Sequence, residues 1–346
     1  MSPMIRTILT PVDGSRHAQA ALDLSVDLAK TYNARLILLH VGLRDGDVPR
    51  DLYETAAREL AEAEARGEET GIHPHLSEHL RILEYLGHKL LREAEASAAA
   101  RGVKTSDGVI DFGDAGERIL HHAKHRSADL IVMGSRGYGE LAGLVLGSVS
   151  HKVFHLAPCA CVTVHWGEGE VGFRGLETIV AATDGSAPAM KSVELASDLA
   201  ARYGARLVLV HALRREATAA QLHAAVDAAA LGVKAREELE MAGRLVDMGS
   251  GAGLLAAAVS DATLDEIGTL ILKRAEGVAT ARGVEKVALR LVDDDPARAV
   301  LAVAESETAD MIALGSRGLG EVSGLLAGSV SYKVNHTAPC TCLVVR

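Results

Sequence analysis

The sequence predicts two α/β domains, each a doubly wound parallel sheet, and three observations carry that expectation. The chain has 346 residues, more than one ordinary domain holds. Four stretches recur in the same order in its two halves. Within each half, short β-branched or apolar runs alternate with amphipathic segments at helical spacing. That alternation is the pattern of parallel strands joined by right-handed helical crossovers.

The repeat is legible by eye. "TILTPVDGS" (Thr7 to Ser15) returns as "TIVAATDGS" (Thr178 to Ser186), and "YNARLILLHV" (Tyr32 to Val41) returns as "YGARLVLVHA" (Tyr203 to Ala212). "SADLIVMGSRG" (Ser127 to Gly137) returns as "TADMIALGSRG" (Thr308 to Gly318). "HLAPCACVTV" (His155 to Val164) returns as "HTAPCTCLVV" (His336 to Val345). The chain is therefore a duplication, with expected domains over residues 1–168 and 174–346. A hinge is expected in the glycine-rich, charged stretch His165 to Gly175.

Each half opens on a β-branched strand, Thr7 to Thr10 in the first, and turns at Asp13-Gly14-Ser15. Ala18, Leu22, Val26 and Ala29 then mark a helix, with Ser15 as its N-cap and Asn33 as a left-handed stop. Leu36 to Val41 is continuously apolar, as suits a parallel strand covered on both faces. Further strands are expected near Val109 to Phe112, Leu130 to Met133 and Cys161 to Val164, with helices starting at Asp114 and Gly147. In the second half Pro188 and Pro296 sit where helices begin, a position proline tolerates. The crossovers from Val41 to about Lys104 and from Ala212 to about Glu285 are long enough for two helices each. In the first, Arg58 to Glu69 and Glu78 to Ala100 read that way, the latter with an apolar face of Leu80, Leu83, Leu86 and Leu90.

Composition narrows the function. Aromatic residues are 3% and apolar residues 48% of the chain, so the core is aliphatic and offers few stacking platforms for bases. A net charge of −10 argues against broad binding to nucleic acid or anionic membrane. No apolar run reaches the roughly 20 residues of a spanning helix. The start lacks a signal-peptide core, so the cytoplasm is the expected compartment. Four cysteines make no disulfide framework in a chain this long.

The chemistry concentrates in two glycine-rich loops, "GSRGYGELAGLVLGSVS" (Gly134 to Ser150) and "GSRGLGEVSGLLAGSVS" (Gly315 to Ser331). Each follows a strand end, where an open parallel sheet binds ligands. Glycine there permits a sharp turn and close approach of a ligand. Gly147 and Ser148 are expected to present free N–H groups at the positive end of a helix dipole, a ready anion site. The loops match neither the Walker pattern nor the dinucleotide fingerprint. Their reading is a wrap around a phosphate chain.

With these residues the chain resembles the universal stress protein family in its tandem form. The resemblance rests on the strand-end aspartates of "PVDGS" and "ATDGS", the "MGSRG" and "LGSRG" strand exits, the G-x2-G-x9-G-S spacing and the closing "APC-x-C" strands. It covers nearly all of both halves. It implies a Rossmann-like fold of the adenine nucleotide alpha hydrolase type and the ATP-binding subgroup. The implied cofactor is ATP, ADP or AMP, with Mg2+ an optional companion, and the implied role is in stress response. By resemblance, Asp13 and the backbone at Val41 lie at the adenine end of the first cleft and Met133 and Gly134 by the ribose, and Pro11 is a further candidate binding residue. Gly137, Gly147, Ser148 and Val149 lie by the phosphates, with Arg136 and Ser150 as further candidate binding residues. The matching second set is Thr183, Asp184, Ala212, Leu314, Gly315, Arg317, Gly318, Gly328, Ser329, Val330 and Ser331. No catalytic residue is implied.

Other candidates carry bland alternatives. Arg136 and Arg317 suit phosphate but also suit a solvated loop. Lys152 and Lys333 read as surface residues. Ser148 and Ser329 are explained by helix capping rather than as phosphoryl acceptors. His73, His75 and His79 form an H-x-H-x3-H cluster that fits no zinc spacing well. "GSGAG" (Gly249 to Gly253) reads as a helix break. Asp294 and Asp295 add negative charge where the first half has Gly113 and Asp114. The closing strands, with Cys159, Cys161, Cys340 and Cys342, are candidates for pairing of the two halves, a homodimer being a further alternative. Rival functions are a weak ATPase or autokinase, and a scaffold with one degenerate site.

Overall fold

The computed structural model describes residues 4–42, 48–137, 147–165, 173, 175–213, 219–247, 259–318 and 328–346. The "GSGAG" stretch and most of the hinge lie outside them. The chain divides into two compact units, Met1–Arg174 and Gly175–Arg346.

In the first unit the order is β1 (Thr7–Pro11), α1 (Arg16–Tyr32), β2 (Arg35–Gly42), α2 (Arg50–Ala65), α3 (Glu78–Ala100), β3 (Thr105–Phe112), α4 (Ala115–His125), β4 (Leu130–Gly134), α5 (Ser148–Leu156) and β5 (Ala160–Val164). All strand pairs are parallel, in the order β3-β2-β1-β4-β5. The direction of winding therefore reverses between β1 and β4, which is where such sheets open a crevice.

The second unit repeats the plan. It runs β6 (Thr178–Ala182), α6 (Ala187–Tyr203), β7 (Arg206–Ala212), α7 (Ala219–Ala225), a short 3-10 turn (Ala228–Ala230), α8 (Val233–Asp247), α9 (Asp261–Ala281), β8 (Val287–Val292), α10 (Pro296–Ser306), β9 (Met311–Gly315), α11 (Ser329–Thr337) and β10 (Thr341–Val345). Its order is β8-β7-β6-β9-β10, again parallel, with the switch between β6 and β9.

The caps follow the local chemistry. Ser15 accepts a hydrogen bond from the Ala18 N–H at 3.1 Å, and Asn33 ends α1 at φ 50°. Ser186 and Gly204 do the same for α6, with Pro188 in its first turn. Leu36, Ile37, Leu38 and Leu39 are fully buried, each worth about 1.5–3 kcal/mol of transfer free energy. Their alternation turns Ile37, Leu39 and Val41 to one face, where they meet Ile119, Ala123 and Val153 of α4 and α5. A carboxylate sets the starting level of each site-bearing strand. Asp129 accepts the N–H groups of Arg6 and Thr7 at 2.9 and 3.0 Å, and Asp310 those of Glu177 and Thr178, both at 2.8 Å. These bonds fix β1 against β4 and β6 against β9, so their carboxyl ends finish at the crevice.

Two expectations need correction. The inward face of α3 is Ile82, Leu83, Leu86, Leu91, Ala94 and Ala98, while Leu80 is exposed and Leu90 half-buried. The 3.6-residue period rotates Leu80 off the stripe that meets α2 and the sheet. The second crossover holds three helices and a 3-10 turn among the described residues, not two helices, and α7, α8 and α9 form an apolar cluster of their own around Leu222, Leu239 and Ile271. No helix among the described residues is long and apolar enough to cross a membrane.

Candidate functional site

Each unit carries a cleft at its switch point. The first has a volume of about 980 Å³ and is lined from β1, α1, β2, α4, β4 and α5. The second, about 730 Å³, is lined by the equivalent elements. Every site residue expected from the sequence lines one of them. Pro11, Asp13, Val41, Met133, Gly134, Arg136, Gly137, Gly147, Ser148, Val149 and Ser150 converge on the first. Thr183, Asp184, Ala212, Leu314, Gly315, Arg317, Gly318, Gly328, Ser329, Val330 and Ser331 converge on the second.

The aspartates are held in the same way. Asp13 Oδ1 accepts the Ser15 N–H at 2.8 Å, and Asp184 Oδ1 accepts the Ser186 N–H at 3.0 Å. That bond orients the carboxylate and directs Oδ2 toward the glycine loop. A Cβ placed on Gly137 would lie 2.7 Å from Asp13 Oδ2, and one on Gly318 would lie 2.5 Å from Asp184 Oδ2. These two glycines are what lets aspartate and loop meet.

Gly134 and Gly315 need a different explanation from the one expected. A Cβ on Gly134 would strike the backbone of His17 and Ala18 at 2.7–2.9 Å, and one on Gly315 the backbone of Pro188 and Ala189 at 2.6–2.9 Å. Close packing of α1 and α6 on the strand ends, not approach of a ligand, excludes a side chain there.

The far end of each loop is pinned to its near end. The Gly147 N–H donates to Ser135 O at 2.8 Å, and the Gly328 N–H to Ser316 O at 2.7 Å. Gly147 thus has no free N–H, contrary to the expectation. The first N–H satisfied inside α5 is that of His151, onto Gly147 O at 2.8 Å, so the N–H groups of Ser148, Val149 and Ser150 face the cleft end of the helix. Capping is also reassigned. Gly147 and Gly328 are the N-caps and make no side-chain cap bond, and Ser148 and Ser329 are the first helical residues. The buried hydroxyls are those of Ser150 and Ser331, which face two backbone carbonyls each. Ser150 Oγ lies 2.7 Å from Ser135 O and 2.9 Å from Gly147 O. Ser331 Oγ lies 3.2 and 3.0 Å from Ser316 O and Gly328 O. The second serine of each pair ties the loop shut.

Among the described lining residues each cleft carries one aspartate and one arginine, but the arginines differ in burial. Arg136 is half-buried and Arg317 exposed. His17 neighbours Arg136 and Asp13, and burial followed by the guanidinium holds its pKa below the usual imidazole value. Pro188 occupies the corresponding place in the second unit. Asp295 caps α10 by accepting from Ala297 and Arg298, and Asp294 pairs with Arg298 at 2.7 Å, so that extra acidity is partly neutralised. Lys152 forms 3.0 Å ion pairs with Asp114 and Glu117, and Lys333 is exposed.

The remaining candidates disperse. His73 binds Glu84, His79 stacks on Tyr53 and His75 is exposed, so the three histidines have separate surroundings. Among the described residues no three His, Cys, Asp or Glu side chains gather as a metal site. The four cysteines are not joined in disulfides, and burial pushes the Cys342 thiol well up.

Several lining residues went unread in the sequence. Val12 and Ala182, the repeat partners of the expected Thr183 and Pro11, also line their clefts. Ala115 and Ile119 in one unit, and Pro296 and Val300 in the other, come from α4 and α10. Nothing in their local sequence signals a site.

Comparison with known proteins identifies the family and the fold. "Universal stress protein YxiE" of Bacillus subtilis is 35% identical over 165 residues, covering 46% of this chain and 99% of its own. A universal stress protein of Thermus aquaticus is 34% identical over 161 residues, with 46% and 99% covered. A solved universal stress protein from Archaeoglobus fulgidus shares the fold across 98% of this chain and 96% of its own, at a TM-score of 0.62 and 20% identity. The universal stress protein family matches residues 4–165 and again 175–346, so this chain belongs to that family and carries two of its domains.

Proposed function

We propose that each unit binds one adenine nucleotide, ATP or ADP, and that the protein acts in stress response through a nucleotide-dependent change of shape or partner rather than through turnover. The observation that carries this reading is the repeated pairing of an oriented aspartate with a helix start. In both clefts a carboxylate locked through Oδ1 faces a glycine that has no room for a Cβ. Beside it opens the N-terminus of α5 or α11, whose first N–H groups and dipole favour phosphate oxygens. Asp13 and Asp184 would accept from the nucleoside end, and Ser148 and Val149, with Ser329 and Val330, would meet the phosphates. Arg136 and Arg317 would add bidentate donors. Among the described residues, Asp13 is the one carboxylate that lines the first cleft. Mg2+ would arrive with the phosphates.

The reading is tested by denaturing freshly purified protein and identifying the released nucleotide, then titrating stripped protein with ATP. Two equivalents support it, and no binding overturns it. Steady phosphate release would favour the hydrolase alternative. Pairing of the two units through β5 and β10 rests on the sequence argument alone and is tested by cysteine cross-linking, and a homodimer by sedimentation.

A further inference from the structure

A histidine in each unit links the crossover insertion to the aspartate turn. His40 of β2 is 2% exposed, and its Nδ1 lies 2.9 Å from Val12 O. His211 of β7 is 8% exposed, and its Nδ1 lies 2.8 Å from Thr183 O. A carbonyl only accepts, so both rings carry the hydrogen on Nδ1. Val12 and Thr183 immediately precede Asp13 and Asp184. Their N–H groups are also held by the same neighbouring strand, on Leu39 O at 2.8 Å and Val210 O at 2.9 Å. Each residue before the aspartate is thus gripped at both its N–H and its C=O, just where the ladder from β1 or β6 has ended.

The rings fit because the crossover helix is notched. A Cβ on Gly87 of α3 would lie 2.8 Å from His40 Cδ2; one on Gly268 of α9 would lie 2.6 Å from Leu291 Cδ1 and 3.0 Å from His211 Cδ2, so that gap serves the leucine as well as the ring. Histidine, carbonyl and helix glycine recur in two units whose insertions otherwise differ in helix number. A merely filled core position would not require the same polar group, bonded to the same backbone atom, under the same gap.

We infer that His40 and His211 are positioning residues for the two clefts, each holding the aspartate-bearing turn to the neighbouring strand through an Nδ1–H bond to the carbonyl before the aspartate. They act through Asp13 and Asp184; His40 lies outside the described lining of the first cleft, whereas His211 also lines the second. The inference rests on the proposed nucleotide site for its consequence, though the positioning itself does not.

The test uses the full chain with His40→Leu, His40→Gln and His40→Asn, and the same changes at His211. Asn places an amide donor where Nδ1 stood, whereas Leu and Gln place none there. ATP titration, thermal unfolding without nucleotide, and amide hydrogen exchange are measured on each. The expected result is a loss of tenfold or more in affinity at one of two sites for Leu and Gln, with Asn within about threefold of the unmodified protein. Exchange at Asp13 to Ser15 should quicken in His40→Leu or His40→Gln, slow again in His40→Asn, and stay unchanged in the other unit. Should the Leu variant fail to fold, the Gln and Asn pair decides. Equal affinity and equal turn exchange in Gln and Asn would overturn the inference. If the unmodified protein binds no ATP, the nucleotide reading fails, and turn exchange alone decides whether the histidines position the turn.

Discussion

Replacing Gly137 by alanine is expected to separate binding from folding at the first cleft. The new Cβ would stand 2.7 Å from Asp13 Oδ2, whereas ordinary contact begins near 3.4 Å. The carboxylate must therefore retreat by about 0.7 Å, the difference of those distances. It cannot do so freely, because Oδ1 sits 2.8 Å from the Ser15 N–H. A rigid retreat stretches that bond beyond hydrogen-bonding range. Losing one bond to a charged acceptor costs about 1.5–3 kcal/mol when desolvated, and less at the open mouth of a cleft. We expect a stability loss near 1 kcal/mol, below that range because the cleft mouth is solvated. Affinity should fall about 10- to 100-fold at one site, the equivalent of about 1.4–2.8 kcal/mol. Gly134→Ala is the contrast, since its Cβ meets helix backbone at 2.7–2.9 Å and nothing there can turn aside. Overpacking of that kind costs about 1–3 kcal/mol, so it should lower the melting point of its unit. The assay is calorimetric titration with ATP beside thermal unfolding, repeated with Asp13→Ala as a second change. If the aspartate transmits the effect, Gly137→Ala adds little once Asp13 is alanine. Unchanged affinity in Gly137→Ala, or an equal further loss in the double variant, would refute the reasoning.

Gly147→Val and Gly328→Val should each remove about one equivalent of bound nucleotide, because a branched side chain at the helix cap crowds the space beside the first N–H groups; titration that still shows two sites would oppose this. Glu238 accepts from the Ser260 N–H, Ser260 Oγ and Thr263 Oγ1 at 2.7–2.9 Å, bonds that lower its carboxyl pKa to about 2. Glu238→Gln should therefore destabilise the second unit by about 1–2 kcal/mol in urea melts at neutral pH. With a folded value below the unfolded 4.5, this contribution is present above pH 4.5 and is lost as pH falls toward about 2. Burial lowers the pKa values of His17, His40 and His88 below 6.5, so the unfolded chain binds more protons in that window. Stability should be flat with respect to these groups above pH 6.5 and fall as pH drops beneath it, and a rise on acidification would contradict the assignment.

Much of this protein was legible before any coordinates. Duplication, strand–helix alternation and the punctuation by Ser15, Asn33, Asp114 and Pro296 are local properties. A cap or an apolar run reports the same physics wherever the chain later goes. The spacing from Gly134 to Ser148 was likewise readable, because a strand exit and a helix start lie within one short stretch. Tertiary structure decided what each group faces. Gly134 and Gly137 look alike in sequence, yet one abuts the α1 backbone and the other the Asp13 carboxylate. Ser148 and Ser150 both read as hydroxyls near a helix start, yet only Ser150 reaches the Ser135 and Gly147 carbonyls. His40 carried no signal at all among Leu36 to Val41, since its meaning depends on Val12 O, 28 residues away in sequence, and on a gap in α3 at Gly87. Sequence pattern records which residues share a face of one element. Close approach between elements is set by packing of the whole sheet, and it was that packing which assigned the site its working atoms.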